Sequence, residues 1–176
     1  MAEPARRSRD PATQAEKQFD ERVVFVNRVA RVVKGGRRFR FQALVVLGDH
    51  KGRLGIGVSK GADVAAAVNK ATDVAKKHLV QIVMHNSTLT HEVEGRVGGA
   101  KIKIMPAAPG TGLIAGGVVR TVLEVTGIEN ALSKSYGSSN RINTAYATLA
   151  ALQASVPVSQ WVVKPAKPKK PATEGK

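Results

Sequence analysis

The chain has 176 residues and carries 28 Lys and Arg against 13 Asp and Glu, which gives a formal net charge of +15. Its hydrophobic fraction of 43% is that of an ordinary globular protein, so the chain can bury a core and is not a disordered basic tail. The absence of cysteine excludes disulfides, thiolate metal sites and cysteine nucleophiles. No apolar run reaches the roughly 18 residues of a spanning helix, so we expect no membrane segment and a polyanionic partner.

The positive charge is concentrated in one block. Residues 21–80 carry a net charge of +9, whereas residues 81–160 carry only +2. Within that block, a stretch of 13 residues contains no acidic side chain and these basic ones: Arg28, Arg31, Lys34, Arg37, Arg38 and Arg40. Because no counter-charge neutralises this run, it favours binding to nucleic acid over an ordinary solvated face. The change in charge near residue 80 predicts a boundary between one domain over 20–82 and another over 83–155.

The first half is predicted to fold as three strands and a helix. Its strands are rich in β-branched residues that alternate with polar ones, and Gly-Gly between two such runs is a hairpin signal. We expect Gly36 to need a positive φ in that hairpin. The predicted elements are strands over Glu21–Val33, Arg38–Leu47 and Arg53–Val58, a turn over Lys34–Arg37, and a helix over Val64–Leu79 that Asp63 can cap.

The second half is predicted to mix strands and helices. Strands are expected at Gln81–Met84, Thr90–Val97 and Lys101–Met105, a strand or turn at Glu129–Ser135, and helices at Ala115–Val125 and Asn140–Gln153. Polar or Lys/Pro-rich composition without periodicity predicts a flexible tail over 1–19 and a second tail over 156–176.

One glycine-rich segment matches the dinucleotide-binding pattern G-x-G-x-x-G/A. It runs from Gly110 to Ala115 and precedes a predicted helix, where a phosphate could bind. The preceding strand, however, alternates Lys and Ile, whereas the strand before a dinucleotide site is buried on both faces. The sequence therefore argues against a nucleotide-dependent enzyme, and no cofactor is expected.

Several longer motifs occur together in a fixed order. They are Val26-Asn27-Arg28-Val29, Val33-Lys34-Gly35-Gly36-Arg37, Phe41 to Asp49, Gly110 to Gly117, Arg120 with Val122 to Val125, and Tyr136 to Asn140. In these segments the chain resembles bacterial small-subunit ribosomal protein number five, over about residues 20–153. The resemblance implies an α+β fold of two small domains. The first would be a β-β-β-α domain like a double-stranded-RNA-binding domain, and the second an α/β domain with a left-handed β-α-β crossover.

The resemblance also implies partners and site residues. The partners are small-subunit ribosomal RNA, ribosomal proteins four and eight, and the nearby path along which messenger RNA enters the subunit. The residues expected to bind ribosomal RNA are Asn27, Arg28, Arg31, Lys34, Gly35, Gly36, Arg37, Arg38, Lys51, Arg53 and Lys60. Gly112 and Arg120 are expected to face protein four.

The resulting hypothesis is a structural, non-catalytic protein of the small ribosomal subunit. It would bind ribosomal RNA where head and body meet, contribute to translational accuracy and subunit assembly, reside in the cytoplasm on the ribosome, and use no small-molecule substrate. The alternative is a free-standing double-stranded-RNA-binding protein, which would bind generic duplex RNA away from the ribosome.

Overall fold

A computed structural model describes residues 19–161 of the chain. The tails predicted over 1–19 and 156–176 therefore lie outside the described residues, apart from residue 19 and residues 156–161. None of the helices within residues 19–161 is long and apolar enough to span a membrane.

The described part of the chain forms two antiparallel-rich sheets with three helices. In chain order the elements are β1 Asp20–Val33, β2 Gly36–Gly48, β3 Arg53–Gly61, α1 Val64–Lys77, β4 Val80–Gln81, β5 Val93–Val97, β6 Ala100–Pro106, β7 Leu113–Ile114, α2 Gly117–Thr126, β8 Ala131–Gly137, α3 Arg141–Gln153 and a short 3-10 helix at Val158–Gln160. The predicted β-β-β-α order of the first half and the two predicted helices of the second half are confirmed.

The first sheet has the strand order β1-β2-β3-β4. Helix α1 packs on one face of this sheet, where Ala67 and Ala71 meet Ala43 and Val45 of β2 in a small buried cluster. Gly57 of β3 lies directly beneath α1, so close that a Cβ there would collide with the backbone of Ala71. The helix can approach the sheet closely only where the strand has no side chain.

A register shift between Val23 and Phe25 interrupts the pairing of β1 with β2. The extra residue is Val24, and as in other β-bulges it disturbs the alternation of side chains along the strand. Strict alternation would place Val24 and Phe25 on opposite faces of β1. Both side chains pack against the same hydrophobic core.

The second sheet has the order β5-β6-β8-β7, and its last pair, β7 with β8, is parallel. Helix α2 connects that parallel pair, so β7-α2-β8 forms the β-α-β unit that the resemblance implies, and the left hand of its crossover stays a prediction. Helix α3 covers the inner face, and Gly95 of β5 lies under it as Gly57 lies under α1. Asn140 caps α3, since its Oδ1 accepts the N–H of Ile142 at 3.0 Å.

The two halves share one hydrophobic core. Leu44 and Val46 of β2 are buried in the same cluster as Val122 of α2 and Leu152 of α3. The β2–β3 turn also hydrogen-bonds to the end of α2: the N–H groups of residues 50 and 52 donate to the carbonyls of residues 125 and 126 at 3.2 and 3.1 Å. The predicted boundary between 82 and 83 thus separates two sheets that pack on a common interior, and it stays a prediction.

Two strands are shorter than the sequence indicates. The strand expected at Gln81–Met84 is only Val80–Gln81, and the strand expected at Thr90–Val97 begins at Val93. The N–H of Ile82 still donates to the carbonyl of Gly52, at 2.8 Å, but β3 begins at Arg53, so β4 has no strand to pair with beyond Gln81. The hydrophobic pattern there reflects burial of Ile82 and Leu89 rather than strand pairing.

Candidate nucleic-acid interface

The β1–β2 hairpin extends beyond the rest of the first sheet. Strand β3 ends at Gly61, which pairs with Phe41, so the hairpin from there to its turn is two-stranded. We call this part, residues 28–41, the distal hairpin. Its side chains are exposed or half-buried, and the chain from 22 to 48 contains no Asp or Glu. The region combines a regular backbone with uncompensated positive charge.

One face of the distal hairpin forms a basic groove of about 460 Å³. Directly opposed residues of an antiparallel pair share a face, and the register opposes Arg31 to Arg38 and Val29 to Arg40. Lys60 of β3 adds a further cation on this face, where it pairs with Gln42. The residues that line the groove are Val29, Ala30, Arg31, Val33, Arg38, Arg40 and Lys60. We refer to this as the basic groove.

Arg40 is a member of the groove that the expected RNA-binding set omits. Its position two residues after Arg38 places it on the same face of β2. That spacing is visible in the sequence, so strand periodicity alone identifies Arg40 once Arg38 is chosen. Asn27, which was in the expected set, lies next along the same face, opposite Gln42.

The turn at the tip involves only Lys34 and Gly35, because Val33 already pairs with Gly36. Gly36 has φ +136°, a backbone conformation that favours glycine, as expected from the sequence. No heavy atom lies within 4 Å of where its Cβ would be. Gly36 therefore serves the backbone geometry of the tip and not its packing.

The other face of the distal hairpin carries Arg28, Phe39 and Arg37. Arg28 opposes Phe41, and Ala30 opposes Phe39, so the aromatic rings lie on the face that α1 covers further along the sheet. Phe41 is half-buried against the cluster beneath α1, whereas Phe39 is 47% exposed. The guanidinium carbon of Arg28 lies 3.7 Å from the centre of the Phe39 ring.

Lys51 and Arg53 lie at the opposite end of the first sheet. The strand β2 separates them from the hairpin tip by about 40 Å, at about 3.3 Å per residue. Asp49 fixes the backbone of both residues, since its Oδ1 accepts the N–H groups of Lys51 and Arg53 at 2.8 and 3.0 Å. Asp49 also pairs with the Arg53 side chain at 3.7 Å. The structure therefore does not bring these two residues together with the distal hairpin.

Gly112 and Arg120 lie in the second half of the chain, Gly112 in the loop just before β7 and Arg120 on α2. Arg120 is exposed on α2, and its Nη2 donates to the carbonyl of Leu113 at 3.2 Å. It borders a broad depression of about 720 Å³ whose other lining residues include His50, Glu124 and Glu129. Gly112 has φ +75°, and a Cβ added there would point into open space.

A buried amide fixes the glycine loop. Oδ1 of Asn130 accepts the N–H groups of Gly110 and Gly112, both at 3.0 Å, and Asn130 is 8% exposed. A dinucleotide site needs such N–H groups to point at phosphate. Here they are already bound within the protein, so the loop is a structural turn.

The outer face of the second sheet carries charges of both signs. Lys101 pairs with Glu94 at 2.7 Å, and Lys103 pairs with Glu92 and, at 4.0 Å, with Glu94. The hydrogen bond from Lys101 lowers the pKa of Glu94 below its ordinary value, and the hydrogen bond to Glu92 raises the pKa of Lys103. We call this group the charge ladder. Its charges are balanced within the protein.

Comparison with known sequences identifies both halves. The family described as ribosomal protein S5, N-terminal domain, matches residues 19–83, and the family described as ribosomal protein S5, C-terminal domain, matches residues 95–161. The chain belongs to the ribosomal protein S5 family. The two matched segments correspond to the two sheets with their helices, and the basic groove and distal hairpin lie within the N-terminal match.

Relatives in this family cover most of the chain. The small ribosomal subunit protein uS5 of Picosynechococcus sp. is 48% identical over 148 residues, which is 84% of this chain and 86% of that protein. The uS5 protein of Thermus thermophilus is 49% identical over 138 residues, 78% of this chain and 85% of that protein. That of Psychromonas ingrahamii is 50% identical over 135 residues, 77% of this chain and 81% of that protein.

Proposed function

We propose that this protein binds ribosomal RNA through the basic groove and the tip of the distal hairpin. Its membership of the ribosomal protein S5 family makes it a structural component of the small ribosomal subunit. The observation that carries the RNA assignment is the groove itself, where Arg31, Arg38, Arg40 and Lys60 share one face in a stretch without acidic residues.

The mechanism is electrostatic and geometric. Each Lys or Arg that meets a phosphate releases condensed counterions, which drives association and makes it dependent on salt. Arg38 and Arg40 are spaced by one two-residue step of a strand, about 6.7 Å, and Arg31 lies directly across from Arg38. A paired strand holds these cations at fixed separations, so the groove selects a run of phosphates by its shape.

The position in the ribosome belongs to the same proposal. The distal hairpin reaches ribosomal RNA where head and body meet, near the path along which messenger RNA enters, and the protein contributes to subunit assembly and decoding accuracy. Its role is non-catalytic, and it acts on the ribosome in the cytoplasm. Ribosomal proteins four and eight are its protein neighbours, which the nearly neutral second half suits better than the basic first half.

Gly112 and Arg120 are assigned to the surface that faces protein four. Arg120 is exposed and close to Glu124 and Glu129, so this region offers charges of both signs rather than a phosphate-binding field. Such a rim of mixed charge determines orientation and specificity at a protein interface more than affinity.

The groove is tested by replacing Arg31, Arg38 and Arg40 together with Gln in the full chain. We expect the slope of log K against log salt for small-subunit RNA to become shallower by about 2 to 3, at 0.7–0.9 per phosphate contact. Incorporation into reconstituted small subunits should fall in parallel. The matched control replaces Arg96, Lys101 and Lys103 with Gln, which removes equal charge from the second sheet.

The control decides between specific placement and net charge. If both triple variants lost the same salt slope and the same incorporation, the groove would not be the RNA site. The alternative of a free-standing double-stranded-RNA-binding protein is tested by cosedimentation with small subunits after a high-salt wash. Loss of the protein in the wash, with equal affinity for generic duplex RNA, would favour that alternative.

Arg120→Leu tests the assignment of the second half. Because the Arg120 side chain is exposed and its hydrogen bond within the described residues is to the Leu113 carbonyl, the variant should fold and still enter ribosomes. Missense and stop-codon readthrough frequencies in a reporter strain should change. Unchanged frequencies at normal ribosome occupancy would remove Arg120 from the interface.

A further inference from the structure

The two faces of the distal hairpin differ in chemistry. The basic groove presents Arg31, Arg38 and Arg40 on one face. The opposite face, defined by the cross-strand pairs Ala30 with Phe39 and Val32 with Arg37, mixes apolar and cationic groups. The cations of the first face can bind phosphates, whereas the uncharged ring of an exposed phenylalanine cannot.

Phe39 is exposed because of where the helix and the third strand end. Phe41, on the same face, packs against the cluster under α1, whose first residue is Val64. Two residues further, Phe39 lies beyond β3 and beyond that cluster, and 47% of it faces solvent. Val32, further still towards the tip, is 77% exposed. Phe39 and Val32 thus leave apolar surface exposed on this face, and no element within residues 19–161 covers it.

Arg28 adds a flat cation to this face. Its guanidinium carbon lies 3.7 Å from the centre of the Phe39 ring, whereas no ion pair or side-chain hydrogen bond involves Arg28 within the described part of the chain. The guanidinium carbon therefore lies over the ring, and no residue among 19–161 pairs with the N–H groups of Arg28. Guanidinium planes and aromatic rings are the groups on which proteins stack unpaired RNA bases.

We propose that Arg28 and Phe39 form a stacking site for one unpaired nucleobase of RNA, on the face of the hairpin opposite the basic groove. The base lies on the guanidinium that Phe39 supports, and Arg37 and Val32 flank it. The ligand is an unpaired base because a base inside a duplex has both of its faces already stacked. This inference rests on the proposed function and adds to it the class of RNA element that the hairpin recognises.

The test uses the full chain and two RNA probes. One is a short duplex with a single bulged 2-aminopurine, and the other is the same duplex fully paired. Wild-type protein should bind the bulged probe about fivefold more tightly or better, since stacking contributes about 1–3 kcal/mol per base, and should quench the 2-aminopurine fluorescence.

Two variants remove the stack and two serve as controls. Arg28→Lys keeps the charge without the plane, and Phe39→Leu removes the ring; in both, the two probes should bind with equal affinity and the quenching should be lost. Phe39→Tyr keeps the ring and should keep the preference. Arg31→Lys changes the groove face in the same chemical way as Arg28→Lys and should leave the preference intact.

The outcomes separate this proposal from the proposed function. Equal binding of both probes by wild-type protein, without quenching, would overturn the stacking site and leave the RNA groove standing. A preference that survives Arg28→Lys or Phe39→Leu, or that Phe39→Tyr destroys, would overturn it as well. Failure of the wild-type chain to bind either probe, with no incorporation into small subunits, would instead overturn the proposed function.

Discussion

The two sheets of this protein pack against their helices in the same way but differ in the length of their strands. Each packs a helix on one face and has a glycine beneath it, Gly57 under α1 and Gly95 under α3. The second sheet has strands of at most seven residues, and its inner face is covered. In the first sheet, β1 and β2 run 14 and 13 residues and continue beyond their neighbours. The first sheet thus provides a scaffold and a projecting arm, whereas the second provides only a scaffold.

Their exposed charges differ in the same way. On the second sheet, Lys101 and Lys103 pair with Glu92 and Glu94, so these four of the charges on its outer face, which also carries Arg96 and Lys134, are matched within the protein. On the distal hairpin the cations have no acidic neighbours in sequence from 22 to 48. Charges balanced within the protein keep a face hydrated, whereas an unbalanced row of charges on a regular backbone is a binding surface.

The largest effect is expected from Gly57→Ala and Gly95→Ala, which test the shared design. In each, the new Cβ would collide with helix backbone, of Ala71 or of Ala147. Backbone cannot rotate away as a side chain does, so we expect a loss of about 1–3 kcal/mol or more in denaturant-induced unfolding. Gly117→Ala, where nothing lies within 4 Å of the new Cβ, is the matched control and should be neutral or slightly stabilising.

The same experiment sharpens the comparison between the halves. Because both sheets pack on one core, each variant should shift a single unfolding transition monitored by circular dichroism and by the fluorescence of Trp161. Two separate transitions, one for each variant, would show that the halves are independent domains. Wild-type stability in either alanine variant would mean that its helix can move away from the sheet at no cost.

Local patterns predict most of this comparison. Alternating β-branched residues predict β1 and β2, and the spacing of apolar residues predicts α3 over Asn140–Gln153 against the observed Arg141–Gln153. The change in net charge near residue 80 predicts a division into two parts, and the family resemblance adds a fold for each part. Positive charge without counter-charge predicts the region of the basic groove from sequence alone.

Long-range features were beyond local patterns. The bulge at Val24, the two-residue strand β7 and the sharing of a core all depend on segments far apart in the chain. The same limit applies to Lys51 and Arg53, which the expected RNA-binding set joins to the hairpin, because a set of residues taken from sequence gives no distance along a sheet. It also explains why Phe41 is half-buried and Phe39 is exposed although both lie on one face. The difference arises because α1 and β3 end beside Phe41 and do not reach Phe39.

A smaller effect is expected from Gly36→Val, which tests the distal hairpin alone. Valine at φ +136° is strained by about 1–3 kcal/mol, with no steric clash, so the tip should distort while both sheets persist. Incorporation into small subunits should fall, with the melting temperature little changed. Gly35→Val, at a neighbouring position without a positive φ and with equal space, is the control. Equal defects in both would attribute the effect to bulk at the tip instead of backbone strain.

The smallest effect concerns the charge ladder. Because the pKa of Glu94 is lowered from 4.5, its contribution to stability is present above that value and is lost as pH falls through the lower folded value. Because the pKa of Lys103 is raised from 10.5, its contribution is present below that value and is lost as pH rises through the higher folded value. The ion pairs of the charge ladder therefore stabilise the fold between the pKa of Glu94 and the pKa of Lys103.

The measurement compares melting temperatures of wild type and Glu94→Gln across pH. A small difference at neutral pH should vanish below the folded pKa of Glu94 and in about 1 M salt, which screens exposed pairs. A difference that persists in strong acid or high salt would show that Glu94 contributes by packing and not by charge.

The shared core has a consequence for the order of events during synthesis. Strands β1 to β3 and α1 leave the translating ribosome before α2 and α3 exist, and domains generally fold as they emerge. Until the second half is made, the face of β2 and β3 that bears Leu44, Val46 and Ile56 has nothing to cover it. The nascent chain therefore presents an open apolar sheet during this interval, a surface of the kind that attracts chaperones, and it closes only when the last helix, α3, has been translated.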